Sequence, residues 1–386
     1  MMKKDNFYAA QKTLSPKRKF AFTLILILLP TAMMFMAAEI YVRFTRSYTN
    51  LWALTGRESG RNPMEEWALV DAFSAYKGRP GTYRKSEKTV NKYGFISTPE
   101  ISIKKPENTI RVVFLGGSAT AGTGHDLADE DTWPFRVAEI LKNNLKEKEL
   151  EFINAALGGY TTFESFGRLW SRIRFFSPDI IIVYLGWNEM YYFNKEDGIV
   201  LWRTLPDGSW GFHSAPNLAT YEPYWIDHLI RHSQLLTKIR LLISTQKNGE
   251  IGVSKNLKED YDRKGLDVFR TNLRLIKEAA SIFNAKLFVA KQATLIVPNL
   301  AEDDRNRCRY EYHGFDHDAH LDAFNQIYRV IDEEIDARYI IDVTQLSGIS
   351  DYFYDHIHPT ELGSNEIAKI VAKSLQPHLA TLEQSD

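Results

Sequence analysis

Ser118 lies in a glycine-rich segment, GGSAT at 116–120, directly after the apolar run at 112–115. Paired glycines allow the backbone to turn sharply after a strand, so that the serine N–H and hydroxyl can face the same space. Open α/β sheets place their sites at such strand ends. A glycine-rich turn can also hold a phosphate, but this segment has neither the G-x-G-x-x-G nor the G-x-x-x-x-G-K-[ST] pattern. Ser118 is therefore a candidate nucleophile that requires a base.

The segment DHIHPTELG at 355–363 supplies such a base near the C-terminus. Asp355 precedes His358 by three residues, and in a tight turn this spacing lets the carboxylate accept from Nδ1–H while Nε2 takes the serine proton. An imidazole suits the task because its unperturbed pKa of roughly 6.5 lets it accept and return a proton near neutrality. His356 is the alternative base, although its adjacency to Asp355 makes a side-chain bond sterically awkward. We predict a triad of Ser118, His358 and Asp355.

Two further strand ends carry groups that could stabilise an oxyanion. The segment NAALGGY at 154–160 follows one apolar run, and LGWNE at 185–189 follows the next. Backbone N–H groups at glycines and a side-chain amide are suitable donors because they resist deprotonation and movement. We predict that the N–H groups of Ser118 and Gly159, with Asn188, form an oxyanion hole. The alternative is that the glycines serve turn geometry and that Asn188 caps the following helix.

The elements that must position these residues follow the pattern of an α/β fold. Short β-branched runs alternate with amphipathic segments, which is typical of parallel strands joined by crossover helices. Several runs are apolar without alternation, as in strands covered on both faces. We predict a mostly parallel five-stranded sheet. The predicted strands are 110–115, 150–154, 180–185, 286–290 and 339–343, and the predicted helices are 133–144, 163–175, 261–282, 319–337 and 364–375.

Taken together, the motifs resemble the SGNH (GDSL-like) hydrolases. The four signature positions of that family are a Ser after the first strand, a Gly after the second, an Asn in a G-x-N-D turn and a His in D-x-x-H-P. Ser118, Gly159, Asn188 and His358 match them in order, and the resemblance covers residues 109–378. It implies a flavodoxin-like three-layer α/β/α fold, esterase or acyl-transfer chemistry through an acyl-serine intermediate, and no metal or organic cofactor.

The chain departs from the family pattern at two positions. Gly117 stands where the G-D-S form has an aspartate, and Glu189 replaces the aspartate that follows the signature asparagine. We expect an acid at position 189 to anchor the turn. Because glutamate is longer than aspartate, we expect Glu189 to change the orientation of Asn188. The element NKYGF at 91–95 is also similar to membrane-tethered members of the family.

The N-terminal region predicts a membrane anchor. Residues 20–38 are 19 consecutive uncharged, mostly apolar positions, enough as a helix to cross roughly 30 Å of hydrocarbon. Six basic residues precede them with only Asp5 opposing, so the positive-inside rule predicts a cytoplasmic N-terminus and an outward-facing remainder. One alternative is a cleaved signal peptide, although 36–38 is a poor cleavage site. The other alternative is a buried core helix. Two features argue against it, because Pro30 interrupts the run and the run is apolar on every face rather than on one.

The chain divides into five predicted regions. They are a cytoplasmic tail at 1–19, a transmembrane anchor at 20–42, a stalk and lead-in at 43–108, the hydrolase domain at 109–378 and a tail at 379–386. Within the domain, 190–260 is far longer than an ordinary strand-to-helix connection and is therefore an insertion. Its many aromatic residues predict either a lid over the site or a small core of the insertion's own.

Composition and the remaining polar residues narrow the function classes. A net charge of −1 provides no basic field to recruit nucleic acid. The single cysteine, Cys308, excludes an intrachain disulfide and a cysteine-based zinc cluster.

A cluster of polar residues at 313–320 could bind a divalent metal or form a loop that ends in an Asp helix cap. Its members are His313, Asp316, His317, Asp318 and His320.

These observations predict a membrane-anchored, outward-facing serine esterase. Its partners would be the membrane, through the N-terminal helix, and an ester substrate. The expected substrates are O-acylated polysaccharide, lipid esters or small esters. One alternative is an O-acyltransferase that uses the same triad on an envelope polysaccharide. The other is a non-catalytic protein that binds glycan or scaffolds an envelope complex on the same fold.

Overall fold

The computed structural model describes residues 15–45, 67–83, 88–125, 127–194, 202–204, 210–212, 225–247 and 257–384. The chain forms two compact units, which we name by their main elements. The helical unit comprises Met1–Gly60 and Pro223–Gly249, and the sheet unit comprises Arg61–Glu222 and Glu250–Asp386. Most of the predicted cytoplasmic tail, part of the stalk and part of the insertion lie outside the described residues.

The helices and strands are as follows in chain order. The strands are β1 (Ala68–Asp71), β2 (Ala75–Gly78), β3 (Gly81–Thr82), β4 (Thr89–Val90), β5 (Thr109–Gly116), β6 (Glu149–Asn154), β7 (Ile180–Leu185), β8 (Trp202–Thr204), β9 (Trp210–Phe212), β10 (Lys286–Lys291) and β11 (Ile340–Asp342). The α-helices are α1 (Pro16–Thr45), α2 (Ser118–Ala121), α3 (Trp133–Lys142), α4 (Thr162–Ser171), α5 (Asp227–Ile230), α6 (Gln234–Lys247), α7 (Lys264–Ile282), α8 (Glu302–Arg305), α9 (His317–Glu334) and α10 (Glu361–Gln384).

A five-stranded sheet organises the sheet unit, and its strand order is β11-β10-β7-β5-β6. All four strand pairs are parallel. The chain starts in the interior at β5, moves outward to β6 and then crosses to β7 on the other side. This reversal is the switch point of a doubly wound sheet, next to which such folds place their sites. The predicted flavodoxin-like architecture is confirmed, with strand bounds that differ from the predicted ones by one residue at most.

Helices cover both faces of this sheet. Helices α3 and α10 pack on each other in one layer, while α7 packs between α4 and α9 in the other. Every residue of β5 and β7 is buried, which explains why their sequences are apolar without alternation. The three-layer arrangement follows from these two covered faces.

Helix α10 is longer than the predicted helix at 364–375. It continues past Pro377 and ends at Gln384. A proline inside a helix removes one hydrogen bond and clashes with the preceding turn. Tertiary contacts offset this loss. Leu379 is buried, the carboxylate of Glu383 accepts from the N–H groups of Lys146 and Glu147 at 2.5 and 3.0 Å, and Leu382 O accepts from Lys148 Nζ at 2.7 Å.

The described part of the lead-in folds against the sheet. Strands β1 and β2 form an antiparallel pair, and β3 pairs with β4. In the NKYGF element, Asn91 Oδ1 accepts from the N–H groups of Tyr93 and Phe95 at 3.0 and 3.1 Å. The turn closes at Gly94, where φ is +80°, and inserts the fully buried Phe95 ring into the core. The element therefore fastens the lead-in to the sheet unit.

The helical unit contains α1, α5 and α6. Helix α1 has 30 residues, none of them buried, and its most apolar stretch has a mean hydropathy of 2.3. It is long and apolar enough to span a membrane, a property that it shares with signal sequences. The absence of buried residues contradicts the alternative of a core helix.

Candidate active site

Ser118 occupies the turn between β5 and α2, at the carboxyl edge of the sheet. It is the first residue of α2, and Gly117 precedes it in an extended conformation. A Cβ atom at position 117 would lie only 2.5 Å from Asn188 Nδ2. Glycine at this position therefore allows the amide of Asn188 to approach the turn that carries the serine.

The structure brings Ser118, His358 and Asp355 into one hydrogen-bonded line. The Ser118 Oγ atom lies 2.7 Å from His358 Nε2, although the two residues are 240 positions apart. On the other side of the ring, His358 Nδ1 lies 2.7 Å from Asp355 Oδ2. With the proton on Nδ1, the imidazole donates to the carboxylate and presents an unprotonated Nε2 to the serine hydroxyl. The predicted spacing thus produces the arrangement of a base-activated nucleophile.

Asp355 is held as a carboxylate by its surroundings. Burial opposes ionisation, but the bond to His358 and the N–H of Ile357 outweigh it and keep the pKa of Asp355 well below its usual range. Its Oδ1 atom also accepts from the N–H groups of Ile357 and His358 at 3.0 and 2.9 Å. These bonds fix the turn, so the carboxylate and the ring keep their mutual orientation.

The predicted oxyanion donors lie on the two neighbouring strand ends. Gly159 follows β6 with φ of +84°, a conformation that glycine adopts without strain. Asn188 follows β7 and is buried, and its Nδ2 donates to Tyr160 O at 2.8 Å. This bond uses one of the two amide hydrogens and orients the other. Loops after β5, β6 and β7 therefore converge, as expected for parallel strands that end at one edge.

The side chain of Glu189 links the loop after β7 to the start of α4, which follows the loop after β6. Its carboxylate accepts from Thr162 N at 2.6 Å and from Thr162 Oγ1 at 3.0 Å, at the start of α4. Neighbouring Glu164 completes a capping box with Thr161. Burial raises the pKa of Glu189 to about 8, and it raises that of Glu164 as well. An acid after the asparagine does anchor the turn, and the longer glutamate reaches the first turn of α4.

Sequence reasoning missed two residues beside the triad. His125 stacks on the ring of Tyr354 with centroids 4.2 Å apart, and its Nε2 lies 3.7 Å from Asp355 Oδ2. Its side chain is 40% exposed, so it borders the solvent side of the triad. Burial lowers the pKa of His125. Neither residue type nor spacing distinguished it, because it lies in an irregular loop.

Tyr76 in the lead-in is the second residue that the sequence did not indicate. Its hydroxyl donates to Gly158 O at 2.6 Å, and its own carbonyl accepts from the Tyr160 hydroxyl. The rings of Tyr76 and Tyr160 pack edge to face, 5.1 Å apart. The hairpin of β1 and β2 therefore braces both sides of Gly159. No local pattern in the sequence links these positions, which are more than eighty residues apart.

The polar cluster at 313–320 forms the start of α9. Asp316 Oδ1 accepts from Ala319 N at 2.8 Å, which is the helix cap that the sequence predicts as one alternative. His320 Nδ1 lies 2.8 Å from Asp316 O, and its ring stacks on Trp187. His317 Nε2 lies 2.9 Å from Val297 O. The ring of His320 thus packs against the loop that carries Asn188.

Among the described residues, His125, Asp355 and His358 are a group whose ligand atoms could hold a metal ion, since they lie within 4.8 Å of one another. An ion there would compete with the 2.7 Å contact between His358 Nδ1 and Asp355. The fit to a metal is therefore poorer than the fit to a triad, because the same two atoms already satisfy each other.

Comparison with known proteins identifies the family. The family model of the GDSL-like lipases and acylhydrolases matches residues 114–365. No curated protein matches the chain. Similar solved structures include an acetyl xylan esterase (13% identity, TM-score 0.39, covering 69% of this chain and 100% of that one). Another is a lipase/acylhydrolase from Enterococcus faecalis (16% identity, TM-score 0.39, covering 70% and 96%). A third is a GDSL-like lipase from Bacteroides thetaiotaomicron (13% identity, TM-score 0.38, covering 73% and 93%). Since the family model spans more than half of the chain, this protein belongs to the GDSL-like lipase/acylhydrolase family.

Proposed function

We propose that this protein is a membrane-anchored serine esterase that acts through an acyl-serine intermediate. The observation that carries the proposal is the 2.7 Å contact between Ser118 Oγ and His358 Nε2, continued by the 2.7 Å contact between Nδ1 and Asp355. Serine is a poor nucleophile without an adjacent base, and the arrangement supplies one.

The proposed reaction has two acyl-transfer steps. His358 Nε2 takes the proton from Ser118 Oγ as the oxygen attacks the ester carbonyl carbon. The N–H groups of Ser118 and Gly159, with the Asn188 amide, stabilise the oxyanion of the tetrahedral intermediate. When this intermediate collapses, the C–O bond to the alcohol breaks and the imidazolium protonates the leaving oxygen. Water, deprotonated by His358, then attacks the acyl-serine carbonyl. The C–O bond to Ser118 Oγ breaks, the imidazolium returns its proton to Oγ, and the carboxylic acid leaves. Asp355 stabilises the imidazolium in both steps.

The proposed substrates are O-acylated carbohydrates, lipid esters or small esters outside the membrane. This choice of substrates rests on the proposed topology, in which α1 is the anchor and the sheet unit faces outward. An acyltransferase would use the same triad, with a sugar hydroxyl in place of water.

Hydrolysis of p-nitrophenyl acetate by the detergent-solubilised full chain tests the proposal. We expect Ser118→Ala to reduce the rate roughly 10³-fold or more, because no other group supplies the nucleophile. The matched control is Ser374→Ala on α10, where the hydroxyl donates to Ile370 O of the same helix at 3.0 Å. This variant should retain the wild-type rate. Equal rates for Ser118→Ala and the wild type would refute the esterase.

A further inference from the structure

The carboxylate of Glu39 joins α1 to the start of α6. Glu39 accepts from the N–H groups of Gln234 and Leu235 at 2.9 and 2.8 Å, and from Ser233 Oγ at 2.8 Å. The first N–H groups of a helix lack partners within the helix and favour a negative charge. Arg43 adds a second link by donating to His232 O at 3.0 Å. Helix α6 therefore begins at a defined height along α1.

Glu39 also marks where α1 leaves hydrocarbon. It is the first charged residue after the apolar run that starts at Phe20. The 19 positions of this run span roughly 30 Å as a helix, which is the thickness of a bilayer core. A carboxylate in hydrocarbon is costly, so the membrane surface lies at about the level of Glu39. The start of α6 must lie there as well.

The segment 225–247, which we call the α5–α6 hairpin, presents apolar side chains to solvent. Trp225 is 75% exposed and Leu229 is 64% exposed. On α6, Ile239 and Ile243 are 42% and 54% exposed, and their spacing of four places them on one face. Large exposed apolar side chains grouped in this way mark a site of interaction.

The charge of the hairpin favours a lipid surface as the partner. The segment has four basic residues, Arg231, Lys238, Arg240 and Lys247, and one acidic residue, Asp227. The Asp227 side chain is buried and bonded to Arg240 Nε at 3.0 Å, so the acid does not face outward. Helices that lie in a membrane interface combine apolar residues on one side with Lys and Arg on the other.

We propose that the α5–α6 hairpin lies in the outer interface of the membrane that α1 spans, with Trp225, Leu229, Ile239 and Ile243 inserted among the acyl chains. This inference rests on the proposed membrane anchoring. In this arrangement the chain contacts the membrane at two places. One is α1, which spans the membrane, and the other is the α5–α6 hairpin within the insertion at 190–260.

Depth-dependent fluorescence quenching on the full chain tests the inference. The protein is reconstituted into vesicles of phosphatidylcholine and phosphatidylglycerol in a Cys308→Ser background. Single cysteines at Ile239, Ile243 or the exposed control Lys369 on α10 are labelled with the fluorophore NBD. Lipid nitroxides placed within the roughly 5–10 Å depth that interfacial helices reach should quench NBD at 239 and 243 at least about twofold more than at 369.

Each other outcome contradicts a stated part of the proposal. If the protein stays with the vesicles after a carbonate wash but quenching at 239 and 243 equals that at 369, the interfacial position is wrong and the anchor is retained. A blue-shifted emission without lipid quenching would show that protein, such as a second copy, covers this face. Release by the wash would overturn the anchor and the inference together. Thermal unfolding that matches the parent confirms that each labelled variant is folded.

Discussion

The absence of a side chain at Gly117 lets the amide of Asn188, the predicted oxyanion donor, lie close to the turn that carries Ser118, the predicted nucleophile. Because a Cβ atom there would lie 2.5 Å from Asn188 Nδ2, we predict that Gly117→Ala displaces the amide. Loss of one oxyanion donor reduces kcat by about 10²–10³ in well-studied hydrolases, so a displaced donor should cost about 10-fold or more. The displaced amide also weakens its bond to Tyr160 O, so stability should fall by about 0.5–1.5 kcal/mol, the usual contribution of one hydrogen bond. Ester hydrolysis and thermal unfolding measure the two effects.

A double-mutant cycle separates this explanation from a general disturbance of the turn. If Gly117→Ala acts through the amide, it should add little to the loss in an Asn188→Ala background. Fully additive losses would show that position 117 affects catalysis by another route.

At the scale of elements, Glu189 ties the loop after β7 to the start of α4. Burial raises its pKa to about 8, whereas an unfolded glutamate titrates near 4.5. The folded protein therefore retains a proton that the unfolded chain loses. The resulting contribution to stability is fully present below about pH 4.5 and is lost as the pH rises to about 8. Glu189→Gln cannot ionise, so it should gain stability relative to the wild type over this range.

Thermal unfolding at pH 5 and pH 9 measures this difference. We expect the Tm of Glu189→Gln relative to the wild type to increase between the two values by a few degrees, at roughly 2–4 °C per kcal/mol. Glu302→Gln on α8 is the matched control, because Glu302 is exposed. A Tm difference that is the same at both pH values would show that Glu189 titrates as an ordinary glutamate.

At the scale of the whole molecule, the N-terminal charges predict the orientation of the chain across a membrane. Lys17, Arg18 and Lys19 directly precede the apolar run, and Arg43 after the run is paired with Glu39 at 2.7 Å. We predict that alkaline phosphatase fused after Asp386 is active outside the cytoplasm and that an N-terminal tag stays on the mature chain. Replacing the three basic residues with alanine should reduce the outward fraction.

The tag and the reporter distinguish the remaining topologies. Loss of the tag with an active reporter would identify α1 as a cleaved signal peptide. An inactive phosphatase together with an active cytoplasmic reporter would reverse the proposed orientation. Membrane fractionation of the Ser118→Ala variant is the control, because topology should not depend on the nucleophile.

Local patterns in the sequence determined the sheet and the grouping of the candidate triad. Fully apolar runs such as 180–185 identify strands covered on both faces, and parallel strands must end at a common edge. Residue types at those ends therefore identified Ser118, Gly159 and Asn188 as neighbours. The three-residue spacing in the turn from Asp355 to His358 is likewise a local property, and it predicted their hydrogen bond.

Only the tertiary structure decided which distant loops support these residues. Four such contacts each join two separate elements or loops. They are the bond of Tyr76 to the Gly158 loop, the bond of Glu189 to Thr162, the stacking of His125 on Tyr354 and the cap that Glu39 provides for α6. Such contacts leave no periodic signal, because strand and helix periods describe a residue only relative to its own element. They form when packing of the whole chain brings separate loops together, and a sequence read locally does not contain that information.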